Sequence, residues 1–104
     1  MQEGNYVKYN RTVYKDRERR EEGKMVLLAF FKANELVING FTGFLIMDSE
    51  TDPKERIVLT FWKSKESMIA FYNEENNVLT SYILVGSVSL WEYITAKIIF
   101  RTNL

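Results

Sequence analysis

The chain has 104 residues, 46% of them apolar, and its fourteen basic residues balance fourteen acidic ones. That length suits one domain with a modest core, and the balance gives no global bias toward nucleic acid. Cysteine and histidine are both absent, which excludes disulfides, thiolate nucleophiles and zinc–thiolate sites and removes the commonest general base and metal ligand. Any chemistry must therefore rest on carboxylates, Tyr, Lys, Arg, Asn, Trp or a bound reagent. No apolar run approaches the ~18–20 residues of a membrane span, and no N-terminal stretch resembles a signal peptide. A cytoplasmic protein with a single domain over residues 1–104 is the expectation, without nucleic-acid or membrane partners.

Tyr6–Tyr14 (YVKYNRTVY) is rich in Val, Tyr and Thr and predicts the first strand. Tyr6, Lys8, Asn10, Thr12 and Tyr14 share one face, and Val7, Tyr9, Arg11 and Val13 the other. Asp16 can cap a helix running from Arg17 to about Glu35. Met25, Leu28 and Phe31 recur there at helical spacing, joined by Leu27, Phe30 and Leu36. The charge run from Lys15 to Lys24 alternates in sign and reads as a solvated helix face.

Asn39-Gly40 signals a turn before a second strand, Phe41–Met47. The segment Asp48–Glu55 holds the sole proline and reads as a solvated acidic turn, since it lacks the glycine and spacing of a calcium loop. Arg56–Trp62 predicts a third strand. Ser64 can cap the next helix, with Glu66 in its first turn and Met68, Ile69, Phe71 and Tyr72 as its apolar stripe. Asn73–Asn77 interrupts that stripe, which resumes at Val78, Leu79, Tyr82 and Ile83. Gly86 ends it, and Ser87–Phe100 predicts a long last strand, apolar on both faces.

Strand, helix, strand, strand, helix, strand is the ferredoxin-like βαββαβ order: an α+β fold with one antiparallel sheet and both helices on one face. Val13, Val58, Trp91 and their neighbours cannot all be left in water. Two such sheets packed face to face, a homodimer with a barrel-like core, would cover them. Trp91 and Tyr93 would belong to that interface.

Two motifs, Gly40-Phe41-Thr42-Gly43 and Phe61-Trp62-Lys63-Ser64-Lys65-Glu66, at this spacing resemble the antibiotic-biosynthesis-monooxygenase (ABM) superfamily of dimeric α+β barrels. The resemblance covers most of the chain. Its nearest branch is that of the haem-degrading monooxygenases, whose first strand carries an Asn-Arg pair matched by Asn10-Arg11. In that branch the Asn lies near the distal side of the iron, a helix Trp ruffles the haem, and a His ligates it. Here the Trp position falls on Phe71 and the His position on Ser81, beside Tyr82. Tyr82 is the one candidate iron ligand, so haem is disfavoured and no cofactor is expected. Other members of the superfamily oxidise polycyclic phenols with O₂ and no cofactor, needing only Asn, Trp, Tyr or Arg donors for the substrate anion.

The resemblance therefore implies a monooxygenase-like protein with an aromatic or macrocyclic ligand in a helix–sheet cleft. Asn10 and Trp62 would be its catalytic residues, Arg11, Phe71, Tyr72 and Tyr82 its ligand-binding residues, and no metal would be bound. Asn10 is disfavoured in mid-strand on propensity, which marks it for a role. Trp62, Phe71, Tyr72 and Tyr82 would equally serve as core, and Arg11 as an ion-pairing residue. A non-catalytic binding protein and a structural or regulatory homodimer of the same fold remain as alternatives.

Overall fold

A computed structural model describes residues 6–72 and 87–99, with residues 87–93 described by backbone alone. Its elements are β1 (Tyr6–Tyr14), α1 (Arg17–Asn34), β2 (Phe41–Asp48), β3 (Glu55–Trp62), α2 (Lys65–Tyr72) and β4 (Ser87–Lys97). The strands form one antiparallel sheet in the order β2-β3-β1-β4. This is the ferredoxin-like α+β fold that the element order implies. β4 ends at Lys97, three residues short of expectation, and Phe100 lies outside the described residues. So do the resumed helical stripe of residues 78–83 and the side chains of Trp91 and Tyr93.

Both helices begin where their caps dictate. The Asp16 carboxylate accepts from the Arg19 amide at 2.9 Å, and the Ser64 hydroxyl accepts from the Ser67 amide at 3.1 Å. α1 lays Arg20, Gly23, Leu27, Phe30 and Phe31 on the sheet. Met25 is 67% exposed and Leu36 96% exposed, contrary to the expected stripe. Met25 falls between Gly23 and Leu27 and so points away from the sheet, while Leu36 lies past the helix end.

The core gathers Leu27, Phe30, Phe31 and Val58, with Phe41, Phe44, Ile46, Phe71 and Tyr72 packed against them. Thr42 is the extra residue of a bulge between Phe41 and Gly43. Phe41 pairs with Trp62 and Phe44 with Thr60, so the bulge brings both phenyl rings to the helix side. Phe31 stacks on them at 5.3 and 4.0 Å between ring centres. Gly40, at φ +77°, makes the joint beneath α2: a β-carbon there would collide with the Ser67 side chain.

Arg20 corrects the reading of the charge run as a solvated face. It is 7% exposed, and its Nη1 donates to the carbonyls of Ser49, Asp52 and Glu55 at 3.1–3.2 Å. Nor is the acidic segment wholly solvated. Asp48 pairs with Arg56 across β2–β3 and accepts from its Nε and Nη2 at 2.7 and 3.0 Å. Arg20 Nε adds a third contact to Asp48 at 3.5 Å.

The second sheet face carries no described helix. Leu45, Met47 and Ile94 are 40–48% exposed there, beside half-buried Ile57, Leu59 and Phe61.

Candidate functional site

β3 alternates buried and half-buried residues, with Arg56, Val58, Thr60 and Trp62 on the helix-facing side. β1 lies antiparallel to it, placing Tyr6 opposite Trp62, Lys8 opposite Thr60 and Asn10 opposite Val58. Directly opposed residues share a face, so Asn10 looks toward the helices, as Val58 does within the core cluster.

Trp62 is fully buried. Its indole N–H donates to the Thr60 hydroxyl at 2.9 Å, and that hydroxyl shares a second hydrogen bond, also 2.9 Å, with the Tyr72 phenol. The Phe71 and Tyr72 rings stand 5.4 and 5.9 Å from Trp62, and Phe41 closes the other side at 5.3 Å. The result is an aromatic wall whose polar tips meet at one threonine, holding the indole in a single orientation.

Asn10 sits in the same layer with 0% exposure, and neither its amide nitrogen nor its amide oxygen has a hydrogen-bond partner among the described residues. Of its two strand partners, Val58 offers nothing polar and the side chain of Tyr93 lies outside the described residues. Burying an amide in this way costs roughly 1–3 kcal/mol. Such a group is tolerated in a small protein chiefly where a ligand or water completes it.

Lys8 and Thr60 complete the site, and neither stood out in the sequence. Lys8 Nζ lies 5.1 Å from the centre of the Tyr72 ring and donates to Thr95 at 3.3 Å. Burial holds its ammonium below the usual lysine pKa. Asp48, at the far end of the layer, behaves differently. Burial works against its charged form, but the hydrogen bond from Arg56 and the charges of Arg56 and Arg20 outweigh this and lower its pKa. Burial likewise opposes the Arg56 charge, and its bonds to Asp48 and Tyr14 raise its pKa on balance.

The structure thus brings Trp62, Phe71 and Tyr72 into contact and puts Asn10 on the same helix-facing side, opposite Val58 and two register positions beyond Thr60. It does not bring Arg11 to them. Arg11 lies on the opposite face of the sheet, ion-paired with Glu55, because adjacent strand residues project to opposite sides. Tyr82 lies outside the described residues. A groove of about 340 Å³ opens beside Phe71, lined by Val37, Ile38, Asn39, Ser67 and Ala70. Phe71 is the residue of its lining that also belongs to the aromatic wall. Among the described residues no cluster of carboxylates could hold a metal ion, and a chain without His or Cys lacks the usual haem-iron ligands.

No protein-family model matches the chain, and no curated protein does. Solved structures do match along nearly its whole length. A candidate antibiotic biosynthesis monooxygenase from Nitrosomonas europaea superposes with a TM-score of 0.72 at 14% identity, covering 99% of this chain and 98% of that one. A second, from Deinococcus radiodurans, gives 0.73 at 11% identity over 95% and 97%. The chain has the ABM fold. SnoaB from Streptomyces nogalater, a cofactor-independent oxygenase, superposes with a TM-score of 0.64 at 14% identity over 97% of each chain.

Proposed function

We propose that this ABM-fold chain binds an aromatic or macrocyclic small molecule between the sheet and the helices and acts on it as a cofactor-independent monooxygenase. The observation that carries this reading is Asn10: an amide fully buried on the helix-facing side, without a protein partner among the described residues, in the same layer as an aromatic wall. Trp62, Phe71 and Tyr72 would hold the ring system, and the Asn10 N–H would stabilise the substrate anion. The deprotonated substrate would supply the electrons and O₂ would be the oxidant. One oxygen atom enters the substrate and the other leaves as water. The likeness to SnoaB supports a reaction of this class, and the absence of His and Cys argues against bound iron.

The open sheet face would be covered by a second copy of the chain. Leu45, Met47 and Ile94, each at least 40% exposed in one plane, support this. Sedimentation should give a dimer at micromolar concentration, and a stable monomer would remove that part of the proposal.

The test of the site is titration with a polycyclic phenol, followed by tryptophan fluorescence and oxygen uptake. Saturable quenching with oxygen consumption is expected in the wild type. Asn10→Leu should weaken binding at least tenfold and abolish uptake. Quenching without oxygen consumption would leave a binding protein of the same fold. Unchanged binding by the Asn10 variant would overturn the site. With added haem, no sharp Soret band should form.

A further inference from the structure

Lys8 brings to this site a charge that the reading above does not use. It stands two residues before Asn10 on β1, so both side chains project toward the helices, about 6.6 Å apart along the strand. Its strand neighbours are Thr60 on one side and Thr95 on the other. Its Nζ lies beside the face of Tyr72, whose ring also contacts Trp62 at 5.9 Å. Lys97 pairs with Tyr6 and so adds a second cation to the same end of the helix-facing layer.

We infer that Lys8 recognises a negative charge on the ligand, so that the site selects an aromatic carboxylate or phenolate over its neutral counterpart. The inference rests on the cleft reading and adds the charge class to it. The ring of such a ligand packs on Trp62 and Tyr72. Its anionic oxygen reaches the Lys8 ammonium through a charge-assisted hydrogen bond. A neighbouring carbonyl, over which the negative charge of the deprotonated ring system is shared, accepts from the Asn10 amide N–H. Partial burial already weakens Lys8's hold on its proton, so a ligand anion beside it would stabilise the charged form. Recognition by a single ammonium, rather than a bidentate guanidinium, fits a point charge at the end of a planar ring system.

The experiment is a calorimetric titration with two probes of nearly equal shape, 1-hydroxy-2-naphthoate and 1-hydroxy-2-naphthamide. The wild type should prefer the naphthoate by about tenfold, a single charge-assisted contact. Lys8→Met should bind both probes at the affinity the wild type has for the amide, and Lys8→Arg should keep the preference. Equal binding of the two probes by the wild type, or a preference that survives in Lys8→Met, would overturn the role of Lys8 while leaving the cleft in place. Binding of neither probe, or affinities unchanged by Asn10→Leu, would remove the cleft reading and this inference with it. Should Lys8→Met fail to fold, the salt dependence of the wild-type preference decides instead. A preference that narrows on adding salt supports the charge contact, and one indifferent to salt contradicts it.

Discussion

Two polar groups lie fully buried under the helices on neighbouring strands, and their surroundings differ. Arg56, on β3, has Asp48 on two of its nitrogens and the Tyr14 phenol within 3.4 Å of a third. Asn10, on β1, has no partner for either amide atom among the described residues. Both are 0% exposed. The arginine network ties the β2–β3 connection to α1 through Arg20, whose guanidinium donates to two loop carbonyls and to that of Glu55 at the start of β3. Each guanidinium nitrogen of Arg56 has a partner, while Arg20 Nε reaches Asp48 only as an ion pair at 3.5 Å. Among the described residues nothing completes the asparagine, and that contrast with a structural polar group is what motivates the ligand-binding proposal.

Breaking the arginine network should cost most. Asp48→Ala leaves two guanidinium groups close together without their carboxylate, and removing one partner of a buried pair costs about 3–5 kcal/mol. Urea unfolding should show the loss with an unchanged slope. A change below about 1 kcal/mol would mean that Arg20 and Arg56 find other partners at little cost.

Thr60→Val sharpens the contrast from inside the site. It leaves the Trp62 indole N–H and the Tyr72 phenol without their shared partner, at a cost of roughly 1–3 kcal/mol. The same variant should weaken ring binding, because the aromatic wall loses its anchor. Stability unchanged by this substitution would show that the indole has a second acceptor.

Acid separates the two regions with a smaller effect. Asp48 titrates lower in the folded chain than its ordinary value of 3.8. Its contribution is therefore fully present above that value and is lost as pH falls through the lower folded one. Asp48→Ala should flatten the acid limb of stability below about pH 4. Asn10→Leu should leave that limb as it is, since an amide does not titrate. An acid limb identical in wild type and Asp48→Ala would remove the pair from the pH dependence.

Much of this architecture was legible in the chain. The alternation of YVKYNRTVY marks the bounds of β1 and puts Asn10 on the same face as Tyr14. Asp16 and Ser64 announce the two helix starts, and Trp62 marks the end of β3. What escaped depends on long-range meetings. Arg20 looked solvated because its burial requires the carbonyls of residues 49, 52 and 55 to fold back over α1. Asp48 looked like part of a turn because only the β2–β3 register makes Arg56 its neighbour. Thr60 raised no signal because threonine is at home in strands, and Lys8 none because a strand lysine is ordinarily solvated. Asn10 could be suspected from propensity and from the Asn10-Arg11 resemblance, but that no described residue meets its amide appears only once the strands and helices are placed.

The equilibrium unfolding free energy of Asn10→Leu, measured without ligand, tests the central claim most directly. Leucine is close to isosteric with asparagine and removes both amide polar atoms, which have no partner among the described residues. If Asn10 is kept for a ligand at the expense of the fold, the variant should be more stable than the wild type by about 1 kcal/mol. A variant less stable by a similar amount would show that the amide serves the fold, and would contradict the account.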